Sequence, residues 1–323
     1  MTLGIGVVGG GKHGERYLGH VADVPGVRLA ALCRRDRARG EAQARRYGCR
    51  YHADAAALIA DPAVDAVVLV VPPTLNAPLA IGAAEAGKAL LVEKPLATTL
   101  DECRRIADAV ARAGVCAMVA HTLRFNAVVA ALRAALPAVG PLHAAALTQR
   151  FEPSALDWLD RRAIAGGGII LHTGVHSFDL LRFLTGREAR RVSVYAGRVQ
   201  TRETEDNFAA SVEMDDGALL ALIGGSRATA GRGGAIELAG RDGQLVGDHV
   251  HGLAALLVGT ERRALAVGPP VATVAATLAE FAAALAERRA PAITIADGAA
   301  AVALAEACQR AMRSERAEAV ARL

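Results

Sequence analysis

The chain has 323 residues, enough for about two domains at ~150 residues each. Hydrophobic residues make up 53% and charged ones 22%, which excludes a disordered chain, and 3% aromatics leave too few rings to stack single-stranded nucleic acid. The 37 basic and 33 acidic residues give +4, scattered along the chain, so neither a DNA-binding stripe nor a polybasic membrane patch is expected.

No apolar run reaches ~18 residues and no basic region precedes the first apolar segment. Neither a membrane span nor a signal peptide is expected, and a cytoplasmic location follows. Five cysteines, an odd number without C-x-x-C spacing, predict neither a disulfide framework nor a zinc site.

In chain order, residues 3–8 read as a strand, 9–14 (GGGKHG) as a glycine turn and the stretch to about 23 as a helix. This is the context in which G-x-G-x-x-G binds a dinucleotide. Gly9 would make the tight turn, Gly11 would let backbone approach a pyrophosphate, and Gly14 would let helix and strand pack closely. Lys12 and His13 lie inside the same turn, and the helix start offers N–H groups to phosphate. Residues 27–33 then read as a strand, 36–47 as a helix, 66–71 as a strand buried on both faces, and 74–86 as a helix. Residues 89–92 follow as a strand, 99–113 as a helix and 115–120 as a last strand. Such alternation predicts an α/β fold, a doubly wound parallel sheet over domain 1–121.

The second strand ends Cys33-Arg34-Arg35-Asp36. With Arg34 at the ribose-selecting position, two guanidiniums face the extra phosphate of NADP, which favours NADP over NAD. The alternative has Arg34 pointing to solvent and Asp36 taking the ribose.

From about residue 122 the pattern changes. Residues 142–151, 191–199, 208–214, 219–223, 235–239 and 244–246 read as strands, with hairpin-type connections at 215–217 and 241–243. Ala-rich helices at 271–288 and 297–313 complete an α+β domain, 122–323, built on a large, mostly antiparallel open sheet. Helices on one face leave the other uncovered, which predicts a homodimer or homotetramer.

Three segments stand out: Leu90-Leu91-Val92-Glu93-Lys94-Pro95, Pro72-Pro73 after the strand at 66–71, and GGGIILHTGVHSFDLL at 166–181. With the glycine turn, they make the chain resemble the glucose–fructose oxidoreductase / inositol dehydrogenase (Gfo/Idh/MocA) family over nearly its whole length. The resemblance implies a Rossmann domain binding NADP or NAD, with Pro72 and Asn76 near the cofactor and a cis bond before Pro95. It implies that Lys94 hydrogen-bonds the nicotinamide ribose and the substrate oxygen, and that Glu93 either anchors the ribose or orients Lys94. Only three of the basic residues are lysines, Lys12, Lys88 and Lys94, so a retained amine asks for a reason. Pro95 restricts Lys94 to extended backbone at the carboxyl end of a strand, where α/β sheets bind ligands.

His176 matches the family histidine that would exchange the hydroxyl proton. The family's aspartate four residues earlier is replaced by His172, which would tune or relay the proton. On a regular helix His172, His176 and Asp179 share one face, with Asp179 bonding local backbone or an arginine. No Glu lies between the histidines, so no metal is expected. The family also places polar residues after the sixth strand. Here His121 and Arg124 are the candidates for substrate contact, with a salt bridge the alternative for Arg124.

The reading is an NAD(P)-dependent oxidoreductase that passes a hydride between the cofactor and a secondary alcohol or ketone of a sugar, cyclitol or related polyol. Two alternatives remain: a dihydrodiol-type or unsaturated-substrate reductase on the same fold, and a non-catalytic dinucleotide-binding regulator.

Overall fold

Six parallel strands form the first sheet of the computed structural model, which describes residues 2–323. They are β1 (Leu3–Val8), β2 (Val27–Cys33), β3 (Arg50–His52), β4 (Ala66–Leu69), β5 (Ala89–Glu93) and β6 (Ala117–Ala120), in spatial order β3-β2-β1-β4-β5-β6. Between them run α1 (Gly14–His20), α2 (Arg37–Tyr47), α3 (Ala55–Ala60), α4 (Asn76–Glu85) and α5 (Leu100–Ala113). Every residue of β4, β5 and β6 is buried, which is why these strands read as unbroken apolar runs. Asp36, Asp54 and Thr99 cap α2, α3 and α5 by accepting the N–H groups of Arg39, Ala57 and Glu102. The strand order reverses between β1 and β4, and the glycine turn leaves β1 at that switch point. β3 and α3 were not expected, because the Arg-Tyr-His of β3 is too short and polar to show a strand pattern.

The second sheet is larger. After α6 (Ala127–Ala135) come β7 (Leu142–Arg150), the short α7 (Arg162–Ala165), a π-helical turn at Ile170–Gly174 and α8 (Val175–Thr185). β8 (Ala189–Gly197), β9 (Asn207–Met214), β10 (Leu220–Ser226), β11 (Gly233–Gly240), β12 (Gly243–Asp248), β13 (Leu253–Val258) and β14 (Glu261–Ala264) follow. α9 (Thr273–Glu287), α10 (Ile295–Ser314) and β15 (Glu318–Ala319) end the chain. The nine strands lie in the order β14-β13-β12-β11-β7-β10-β9-β8-β15, antiparallel except for the parallel pair of β7 and β10. One face packs Leu147, Val192, Phe208 and Ile223 into a core shared with Phe178 and Leu181 of α8. The other face leaves Tyr195, Leu220 and Leu222 exposed at 87%, 60% and 63%.

Two units emerge, and their division differs from a single boundary at 121/122. Residues up to Thr122 are joined by Ala272–Ala299, while Leu123–Val271 and Ala300–Leu323 form the second unit. α9 packs against α1 and β6, and the Val119 N–H donates to the Ile293 carbonyl at 3.3 Å. Assigning α9 to the neighbouring sheet by chain order was therefore wrong. Its apolar residues cover the Rossmann sheet instead.

Candidate active site

Within the first unit, the glycine turn is dictated by close approach. Gly9 sits at φ +113°, and a Cβ there would run into the Val70 carbonyl oxygen; a Cβ on Gly14 would run into the Gly9 oxygen. A Cβ on Gly11 would meet nothing within 4 Å, so the backbone there is bare and can accept a pyrophosphate. These residues fit a dinucleotide.

The Glu93 side chain, at the end of β5, is buried at the centre of a small polar cluster. Its Oε1 accepts the Tyr17 hydroxyl at 2.5 Å and lies 2.7 Å from His13 Nε2, while its Oε2 accepts the Lys94 N–H at 3.0 Å. Burial pushes the Glu93 carboxyl up, but the His13 bond and charge, the Lys94 ammonium and the Tyr17 hydroxyl outweigh it and hold the group below its ordinary value. Burial and the same carboxylate push the Tyr17 phenol well above its own. The Glu93 Oε2 thus holds the backbone of Lys94.

Lys94 is half-buried and joins Pro95 through a cis peptide. Asn76 is buried, and its Nδ2 donates to the Pro95 carbonyl at 2.8 Å and the Glu93 carbonyl at 3.3 Å, on either side of the lysine. The Asn76 amide thus braces the lysine turn rather than presenting its N–H to a cofactor. Pro72 starts the 3-10 turn Pro73–Leu75 at the end of β4, and Lys12 is exposed on the glycine turn. His121 lies buried directly after β6.

At the end of β2, Arg34 Nη1 donates to the Gly10 carbonyl at 2.5 Å and to Gln43 Oε1 at 2.7 Å, and Arg35 is exposed. Asp36 caps α2 and lies 3.4 Å from Arg39. Gln43 and Glu15, bonded to each other beneath the turn, were missed by sequence reasoning, as was Tyr17. Tyr17 had a signal, its spacing of four from His13 just before α1.

In the second unit, the expected shared helical face of His172, His176 and Asp179 is not formed. Residues Ile170–Gly174 are π-helical, which breaks the 3.6-residue register before α8 begins. Asp179 turns to Arg124, with Nε to Oδ2 at 2.9 Å and Nη2 to Oδ1 at 2.6 Å, and the guanidinium stacks over Phe183 at 4.8 Å. Arg124 is therefore a buried ion-pair partner of Asp179. A buried carboxylate needs that counter-charge. His172 is buried edge-on to Trp158, with ring centroids 5.9 Å apart, and lines a cavity of about 270 Å³. His176 is half-buried in the first turn of α8. Among the described residues no group of three or more His, Cys, Asp or Glu is placed to hold a metal ion, and no helix is long and apolar enough to cross a membrane.

Two family models match the chain in tandem. The first, an oxidoreductase family with an NAD-binding Rossmann fold, covers residues 3–121, and the second, the GFO/IDH/MocA C-terminal domain, covers 138–246. Inositol 2-dehydrogenase 1 of Saccharopolyspora erythraea is 33% identical over 236 residues, 69% of this chain and 64% of that protein. The 1,5-anhydro-D-fructose reductase of Ensifer adhaerens is 34% identical over 200 residues, 60% of each chain. These matches span a little under two thirds of the relatives' own length. The structure of a levoglucosan dehydrogenase in complex with NADH and L-sorbose shares the fold, with a TM-score of 0.92 at 22% identity over 99% of both chains. With both halves matched by models of one family, and with its glycine turn and Glu93-Lys94-Pro95 in place, the chain belongs to the Gfo/Idh/MocA oxidoreductases and carries their NAD-binding Rossmann fold.

Proposed function

We propose that the protein is an NAD(P)-dependent oxidoreductase acting on a secondary alcohol or ketone of a sugar, cyclitol or related polyol. The Glu93 cluster carries this reading. One buried carboxylate holds the Lys94 N–H and two side chains of the glycine-turn segment, so the lysine and the dinucleotide turn are fixed by the same group. The nicotinamide, when bound, supplies or takes the hydride. The Lys94 ammonium hydrogen-bonds the substrate oxygen and shares transfer of the hydroxyl proton with the His176 imidazole. The names of the inositol, anhydrofructose and levoglucosan relatives support the substrate class. Turnover of NADP⁺ and NAD⁺ against a panel of inositols, anhydrosugars and aldoses tests it. Cofactor binding without turnover on any of them would favour the regulator instead.

NADP is the preferred cofactor in this reading, because Arg34 and Arg35 stand at the end of β2 while Asp36 is engaged in capping. NADPH is expected to bind at least about 10-fold tighter than NADH in a fluorescence titration. Arg34→Asp should weaken both, since Arg34 also holds the Gly10 carbonyl, and reverse or erase the ratio. Equal wild-type affinities would sink the preference.

The uncovered sheet face, with a groove of about 680 Å³ lined by Leu220 and Leu222, supports a homodimer or homotetramer. Light scattering at micromolar concentration should give a multiple of the chain mass, and Leu222→Glu should lower it. A wild-type monomer would count against assembly through this face.

A further inference from the structure

The cavity of about 270 Å³ lies wholly in the second unit, walled by the 153–160 segment, the π-helical turn with His172, the 200–206 loop and Arg227. Its size is just under the ~300 Å³ low end for drug-sized ligands, which suits a single sugar-sized ring. Arg227, immediately after β10, is the one Lys or Arg side chain in its wall among the described residues. Nε and Nη2 of Arg227 both donate to Thr173 Oγ1 at 3.2 Å, and its Cζ lies 6.0 Å from the Phe151 ring. Burial pulls this guanidinium below the ordinary arginine value. Among the described residues no carboxylate pairs with it, so a half-buried cation rests on one neutral hydroxyl and an aromatic face.

The acids of the cavity wall are engaged elsewhere. Asp160 accepts the N–H groups of Arg202, Glu203 and Thr204, and Asp206 those of Val199, Gln200 and Thr201. Glu205 accepts the Gly168 N–H, and burial raises it toward its neutral form. Asp157 is exposed on the outer 3-10 turn.

We propose that Arg227 is a specificity-determining residue and that the substrate is a polyol bearing a carboxylate, a uronic- or aldonic-acid type of sugar. The carboxylate pairs with the guanidinium and the hydroxylated carbons lie on the His172 side. A single planar cation matches the two oxygens of a monoanionic carboxylate, whereas a phosphate dianion calls for more charge than this wall provides. The proposal rests on the oxidoreductase reading and narrows its substrate class.

Calorimetric titration of the full chain with D-glucuronate, D-galacturonate and D-gluconate, each beside its neutral counterpart D-glucose, D-galactose or D-glucitol, and with D-glucose 6-phosphate, tests it. At least one acid should bind about 10²-fold tighter than its neutral counterpart, as expected when a buried polar group loses its partner. Arg227→Gln should close most of that gap, and Arg227→Lys, which keeps the charge but loses the fork and guards against misfolding of the first variant, should leave part of it. No preference for any acid, a preference for the phosphate, or a gap that survives Arg227→Gln would overturn the proposal. Wild-type turnover of neutral polyols with kcat/KM at or above that of their acids would overturn it and leave the oxidoreductase reading standing. An Arg227-dependent acid preference without turnover of any polyol would do the reverse.

Discussion

Lys94→Arg is expected to lower turnover by ~10²–10⁴-fold, the usual worth of one acid–base group, while fold and most cofactor affinity persist. The structure makes this substitution informative because the backbone around the lysine is held independently of its side chain. Glu93 accepts the Lys94 N–H, and Asn76 bonds the carbonyls of Glu93 and Pro95. A change at Lys94 therefore reports the amine and not the turn that carries it. An ammonium is compact and can give up a proton, whereas a guanidinium stays charged under all working conditions. Lys94→Ala should lose at least as much and also loosen the nicotinamide ribose. His176→Ala should be similarly damaging, while His172→Asp, which restores the family's residue, should be tolerated or improve the rate. Steady-state kinetics with a pH profile checks the set. Near-normal turnover in Lys94→Arg would reduce the lysine to positioning ligands and move the proton to His176.

What could be read in the sequence was local. β4, β5 and β6 are short apolar runs because both faces of each strand are covered, and a run of that kind is visible without knowing its neighbours. The glycine turn and Lys94-Pro95 were legible for the same reason, since each is a few consecutive residues with a strong backbone preference. Partnerships across the chain were not. Tyr17 meets Glu93 across 76 positions and Asp179 meets Arg124 across 55, and in neither case does spacing point to the partner. The π-helical turn defeated the face argument for His172, because helical periodicity assumes a register that Ile170–Gly174 does not keep. Arg227 had no local signal at all. It follows a strand like many surface arginines, and only folding places it in a cavity without a carboxylate partner.

Asp179→Ala is expected to destabilise the second unit by about 3–5 kcal/mol, the range for breaking a buried ion pair from one side. The side chains of Arg124 and Asp179 are 7% and 1% exposed, and three contacts between 2.6 and 3.1 Å join them. Removing the carboxylate takes from a guanidinium only 7% exposed a counter-charge held at 2.6 Å, and its stacking on Phe183 is worth only ~0.5–2 kcal/mol. The deficit should appear as a lower denaturant midpoint, and as a fall in Tm of roughly 2–4 °C per kcal/mol for a unit of this size. Asp179→Asn, which keeps an acceptor but not the charge, should cost less. Pairing Asp179→Leu with Arg124→Met removes both charges together and should recover much of the loss, because replacing a buried ion pair by apolar side chains costs less than removing one of its partners. Asp179→Ala within about 1 kcal/mol of wild type would mean that Arg124 reaches another acceptor or water, and the pair would then be a contact of little weight in holding α8.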